Sequence, residues 1–149
     1  YDFAVTDIAN NKVIIFYGYG NGSFQLARTY STGFGSKPYD ITTAKLKNSN
    51  QINIIVTLWG IGNVGILTEY AAAEFANQKR YSTGLAPQSY SVTVGNFNDD
   101  NYVDIAIVNS GSDNLDILFN TGNGTFERQI TYHIGADSYP QYVIADDIN

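Results

Sequence analysis

The 149 residues hold 14 Gly, 12 Tyr and 8 Phe, only 15% charged side chains, and no Cys. A net charge of −6 leaves no basic stripe for nucleic acid, no apolar run approaches the ~20 residues of a membrane helix, and the missing cysteines exclude disulfides and thiolate metal sites. Abundant glycine and aromatics with little charge point to strands and tight turns, an all-β chain with enough length for a real core.

The chain opens on Tyr1-Asp2-Phe3, inside strand-like sequence and without an initiator Met, which reads as a piece of a longer or processed protein. The first punctuation is Gly20-Asn21-Gly22-Ser23-Phe24. It returns as Gly122-Asn123-Gly124-Thr125-Phe126, and a shift of 102 aligns twelve identities over 47 positions without a gap. Half that shift also works. Phe24, Phe75 and Phe126 align at a spacing of 51, as do Tyr30, Tyr81 and Tyr132, and Tyr30-Ser31-Thr32-Gly33 recurs as Tyr81-Ser82-Thr83-Gly84. The chain is therefore a tandem repeat. A partial first unit covers 1–35, a second 36–86 and a third 87–137, and 138–149 begins the next. Relative to three full units four residues are missing, all within one loop, the equivalent of 99–102.

Both Gly-Asn-Gly turns satisfy the N-x-S/T rule, so Asn21 and Asn123 are candidate glycan acceptors. The same residues also suit a tight hairpin that needs positive φ, with the following Phe starting an outer strand. A phosphate loop is excluded by context, since a strand follows where a helix is required. In the second unit the loop 44–53 carries Lys45 and Lys47 and no carboxylate. Next comes Trp59, in a hairpin where the other units have Ile8 and Ser110; it is either a stacking surface for a sugar or partner, or local packing beside Gly60-Ile61-Gly62. Residues 69–80 contain an Ala run that resembles a helix, but they fall in register with the Gly-Asn-Gly turn and read as a degenerate hairpin.

The third unit is the most regular. Tyr90–Val94 alternates with period two, and Asp104–Val108 is a nearly continuous apolar run of the kind buried on both faces. Leu115–Phe119 and a run from near Phe126 to Tyr132 complete four antiparallel strands, with a turn-rich hairpin at 109–114. Four strands in about 50 residues, repeated, match blades of a β-propeller. Three such units are too few to close a ring, so further blades, copies of the same chain or an open stack are expected to complete it.

The stretch Gly95-Asn96-Phe97-Asn98-Asp99-Asp100-Asn101-Tyr102-Val103-Asp104-Ile105-Ala106-Ile107-Val108-Asn109, with its downstream Gly-Asn-Gly-Thr-Phe, resembles the FG-GAP/VCBS repeat family. Integrin alpha-chain propellers and several lectin-like and adhesin-like propellers carry such repeats. The resemblance implies a propeller scaffold, an extracellular setting (secreted or on the cell surface), and a protein or glycan partner. Within the loop, oxygen side chains stand at alternate positions, Asn96, Asn98, Asp100 and Asp104, with the backbone carbonyl of Tyr102 between the last two. That is a calcium-type set of hard donors, a shortened relative of the EF-hand loop. The family has Asp and Gly where this chain has Asn96 and Asn101, which leaves two carboxylates and a modest affinity. The alternative is an Asx-turn network that holds the loop without metal. A split copy of the loop uses Asp147, Asn149 and, at the other end of the chain, Asp2. The lone His133 lies in a strand-like run, and neither a nucleophile elbow nor a zinc motif is present. The reading is a non-catalytic recognition, adhesion or assembly module with Ca2+ in one loop. Its alternatives are a lectin-like propeller, the unit of a surface filament, and an accessory propeller of a polysaccharide-active enzyme.

Overall fold

The computed structural model describes residues 1–47, 50–71, 74–84 and 88–147. They form eleven strands in three antiparallel sheets. The first sheet has three strands, β1 (Phe3–Asp7), β2 (Lys12–Gly18) and β3 (Phe24–Ser31). The second has four, β4 (Pro38–Ala44), β5 (Asn53–Leu58), β6 (Asn63–Ala71) and β7 (Glu74–Ser82). The third also has four, β8 (Ser89–Gly95), β9 (Asp104–Asn109), β10 (Asn114–Asn120) and β11 (Phe126–His133). In each sheet the spatial order follows the chain order, so every connection is a hairpin.

The apolar runs explain how the sheets associate. Every residue of β5 and of β9 is buried. A strand buried on both faces needs a layer on each side, and the sheets supply one another with those layers. Ile55, Val64 and Ile66 of the second sheet pack with Val92, Ile105, Ile107, Leu118 and Phe126 of the third. The opposite face of the second sheet, through Ile54, Val56, Leu58 and Leu67, packs on Val13 and Ile15 of the first. The sheets thus stack face to face in chain order, as propeller blades do. The 69–80 segment lies in β6 and β7, as the repeat register requires, although the turn positions 72–73 fall outside the described residues.

A polar link reinforces one junction. The Asp40 carboxylate of β4 accepts hydrogen bonds from Ser91 Oγ at 2.8 Å and from the backbone N–H of Val92 at 2.9 Å. One repeat later, the N–H of Val143 donates to Ser91 Oγ at 3.4 Å. Residues 140–147 therefore run beside β8 as β8 runs beside β4, but they have no strand partner among the described residues.

Candidate functional site

The loop 96–104 joins β8 to β9. Its left-handed residues are Asp99 (φ 60°) and Asn101 (φ 67°), types that tolerate this conformation through short polar side chains. The donors chosen by spacing come together here. Asn96 Oδ1 and Asn98 Oδ1 both accept from the N–H of Asp100, at 3.2 and 3.3 Å. The Asp100 carboxylate accepts from the N–H of Tyr102 at 2.8 Å and from Asn98 Nδ2 at 2.8 Å.

Asp104 does something the spacing did not reveal. It is fully buried, and its two oxygens accept from the N–H of Phe97 and of Asn120, both at 2.9 Å. It therefore clamps the loop to the β10 end of the neighbouring hairpin. Each carboxylate oxygen offers two lone pairs, so these bonds leave acceptor capacity. Asn120 extends the clamp, with its Nδ2 donating to the carbonyls of Val103 at 3.0 Å and Leu46 at 2.8 Å, the latter in the preceding sheet's unit.

The Gly-Asn-Gly-Thr-Phe turn is part of the same assembly. Asn120 Oδ1 accepts from the N–H groups of Gly122 and Gly124. Gly122 (φ 88°) lies against the Tyr102 ring, where an added Cβ would sit 2.6 Å from the ring carbon Cζ. Asn123 is exposed, and its Oδ1 accepts from the N–H of Thr125 at 2.9 Å. Asn21 is likewise exposed, with Oδ1 accepting from the N–H of Ser23 at 3.0 Å. Both candidate acceptors thus close an Asx turn with the sequon hydroxyl residue.

The other candidates fall elsewhere. Asp2 Oδ1 accepts from the N–H of Gly18 at 2.9 Å, the counterpart two repeat units earlier of the Asp104–Asn120 bond. Asp147 lies at the far end, its N–H bonded to the Asp146 carboxylate, and Asn149 lies outside the described residues. In the second unit's loop Lys45 Nζ lies 3.4 Å from Asn50 Oδ1, which it can donate to. Trp59 is half-buried, with Lys37 Nζ 4.8 Å from its ring centroid and its indole N–H buried without a partner. That geometry covers one face of the indole with a cation. His133 is exposed on β11. Among the described residues no group of three or more His, Cys, Asp or Glu could hold a metal, so any cation here relies on amide and backbone oxygens beside its carboxylates.

Two polar positions were missed by reading the sequence. Asp40 links two sheets, yet its repeat equivalents are Ser91 and Tyr142, so nothing recurs to mark it. Buried Asp116 accepts from Asn109 Nδ2 at 2.7 Å and Thr131 Oγ1 at 2.6 Å, inside a run that otherwise reads as plain strand.

A stack of antiparallel sheets of three, four and four strands, with hairpin connections and no layer of helices among the described residues, defines a β-propeller-type fold. Comparison with solved structures agrees. A streptogramin B lyase structure superposes with a TM-score of 0.68 at 18% identity, covering 93% of this chain and 39% of that one. A catalytically inactive variant of virginiamycin B lyase from Staphylococcus aureus, with quinupristin, gives 0.66 at 16% identity, covering 95% and 41%. The chain spans about two fifths of the length of these propeller enzymes. At such identities the likeness shows the fold alone. No family model matches the chain, and no curated protein is similar to it.

Proposed function

We propose that the chain is a non-catalytic, extracellular propeller module that presents its loops to a protein or glycan partner, with Ca2+ stiffening the loop 96–104. The observation that carries this reading is the convergence of Asn96 Oδ1 and Asn98 Oδ1 on the Asp100 backbone N–H, with the Asp100 carboxylate bonded to Asn98 Nδ2 and the Tyr102 N–H, next to the Asp104 clamp. These are hard oxygen donors on alternate residues of a loop, the chemistry Ca2+ prefers. Asn96, Asn98, Asp100 and the Tyr102 carbonyl would hold the ion, with Asp104 beside them. The ion would supply charge neutralisation and rigidity, not a reactive group. Two carboxylates in place of three or four imply a weak site, suited to the high calcium levels outside cells.

The test is thermal unfolding with and without the ion. Ca2+ at ten times its Kd stabilises by about 1.4 kcal/mol, which for a domain of this size raises Tm by roughly 3–6 °C. Asp100→Ala abolishes that rise. Identical melting curves in excess Ca2+ and in chelator would overturn the metal reading.

A further inference from the structure

The chain contains two Asn-Gly steps, Asn21-Gly22 and Asn123-Gly124, at the same place in the repeat. The two turns share a backbone. The N–H of Tyr19 donates to the Ser23 carbonyl at 3.0 Å, and that of Thr121 to the Thr125 carbonyl at 2.9 Å. Gly22 and Gly124 have φ of 87° and 77°. Each Asn Oδ1 accepts from the N–H and the hydroxyl of the residue two places on, Ser23 at 3.0 and 2.6 Å and Thr125 at 2.9 and 2.5 Å. Asn123 Oδ1 receives Thr121 Oγ1 as well, at 2.8 Å. Such bonds polarise the side-chain carbonyl and stabilise negative charge on its oxygen. The Asx turn also closes a ring that contains both the Asn Cγ and the nitrogen of the following Gly. An electrophile and a possible nucleophile are thereby folded towards each other in both turns.

The nucleophiles differ. Gly124 is buried, and its N–H donates to Asn120 Oδ1 at 3.1 Å, beside that of Gly122 at 3.0 Å. Asn120 is itself fixed, its Nδ2 on the carbonyls of Leu46 and Val103 and its N–H on the Asp104 carboxylate. The repeat equivalent of Asn120 is Gly18, which has no side chain to accept anything. Gly22 is exposed, and its N–H has no acceptor among the described residues. The contrast is therefore set by residue 18 against residue 120.

We propose that Asn21 is a site of spontaneous deamidation, and that Asn120 keeps Asn123 unreactive in nearly the same sequence. Base removes the Gly22 N–H proton, and the nitrogen attacks Asn21 Cγ. The Cγ–Nδ2 bond breaks, and Nδ2 leaves as ammonia after taking up a proton. Water then opens the cyclic imide at either carbonyl, which gives an aspartyl or an isoaspartyl residue at position 21. Water enters, ammonia leaves, and nothing is oxidised or reduced. Gly22 favours the attack because no Cβ hinders its nitrogen. At Asn123 the same step requires Gly124 to give up Asn120 and to lose a proton from a buried position. The product adds a negative charge to a chain already at −6. It also destroys the N-x-S sequon at Asn21, while a glycan on Asn21 would block the reaction, so the two modifications exclude each other there. The inference does not rest on the calcium reading, since it concerns a different loop.

The experiment is a mass-spectrometric peptide map of the non-glycosylated 149-residue chain. The chain is incubated in mildly alkaline buffer made with water enriched in heavy oxygen, which marks acid formed during the incubation. In the folded chain Asn21 is expected to convert about tenfold or more faster than Asn123, because breaking the buried Gly124–Asn120 bond adds to the barrier. In guanidinium chloride the two steps lose their different surroundings and are expected to convert at similar rates. Amide exchange on the folded chain should find the Gly22 N–H fast and the Gly124 N–H slow. Asn120→Ala is expected to bring the Asn123 rate towards that of Asn21 while the β9 amides stay protected. If β9 loses its protection in that variant, the rates and the exchange of the native chain decide. Equal rates in the folded chain, faster conversion at Asn123, or a fast Gly124 N–H would each overturn the proposal. So would an Asn21 that stays intact while the denatured chain converts, or an Asn123 that stays inert in a folded Asn120→Ala.

Discussion

Val5 and Ile107 occupy the same place in the repeat, 102 positions apart, yet one is 42% exposed and the other fully buried. Both are β-branched, both lie in the second strand of their blade, and both continue an apolar alternation. The difference is that the second sheet packs on the third sheet's Ile107 face, whereas among the described residues no sheet packs on the Val5 face of the first. The same contrast runs through the turn. Gly20 and Gly22 have positive φ like Gly122 and Gly124, but a Cβ on either would meet nothing within 4 Å, whereas Gly122 sits against Tyr102 and Gly124 against Lys47 and Leu46. Local sequence sets the backbone of a blade, and the neighbouring blade decides how firmly each position is held.

The largest effect that tests this contrast comes from the core pair. Ile107→Ala is expected to lower the unfolding free energy by about 2–5 kcal/mol, since it removes buried methylene groups and leaves a cavity. Denaturant melts should show that loss at every protein concentration. Val5→Ala costs less than about 1 kcal/mol in dilute protein, as for other exposed positions. Equal losses for the two variants would mean that Val5 is covered as Ile107 is.

Asp104 and Asp2 make a second matched pair. Each carboxylate receives the N–H that ends the neighbouring hairpin strand, from Asn120 and Gly18 respectively. Asp104 is buried and also holds Phe97, and Asp2 is exposed. Asp104→Ala leaves two N–H groups without their charged acceptor, and should cost about 2–3 kcal/mol. Asp2→Ala should cost clearly less, because water replaces the carboxylate. A comparison of urea midpoints for the two variants decides it, and a larger loss for Asp2 would contradict the assigned burial.

Much of this was legible before any coordinates. The period of 51 residues places Phe24, Phe75 and Phe126, and with them the hairpins, because each blade needs the same turn and the same strand alternation. The alternating oxygens of 96–104 were legible for the same reason. The partners of those oxygens were not. Asp104 reaches Asn120, 16 residues away, and Asp40 reaches Ser91 and Val92 across a sheet junction. Neither contact recurs in all three units, and the residue types that make it change from one unit to the next, so no periodic trace marks it. The exposure of Phe3 and Val5 was equally hidden, since their repeat equivalents Ile105 and Ile107 are buried.

The smallest effect concerns the hairpin that follows β9. Asn11 and Asp113 are repeat equivalents, both left-handed (φ 55° and 52°), and both accept from the backbone of the next connection. Asn11 Oδ1 takes the N–H of Lys37 at 2.9 Å, and Asp113 Oδ1 takes the N–H of Tyr139 at 2.8 Å. Asp113 alone of the two titrates. The Tyr139 N–H, with help from Asp137 and Ser138, holds its carboxyl below the ordinary value of 3.8, against a smaller opposing effect of desolvation. A carboxyl depressed on folding adds stability that is complete above its unfolded value, and that stability is lost as pH falls through the folded value. Urea midpoints of the native chain should therefore drop between about pH 5 and pH 3 by more than those of Asp113→Asn, which keeps the acceptor, as Asn11 does, but cannot bind the proton. The other carboxylates, Asp7 included, are present in both proteins and cancel in the difference. An identical pH dependence for the two would show that the Asp113 bonds contribute equally with or without its charge, and that Asn11 and Asp113 are interchangeable in the repeat.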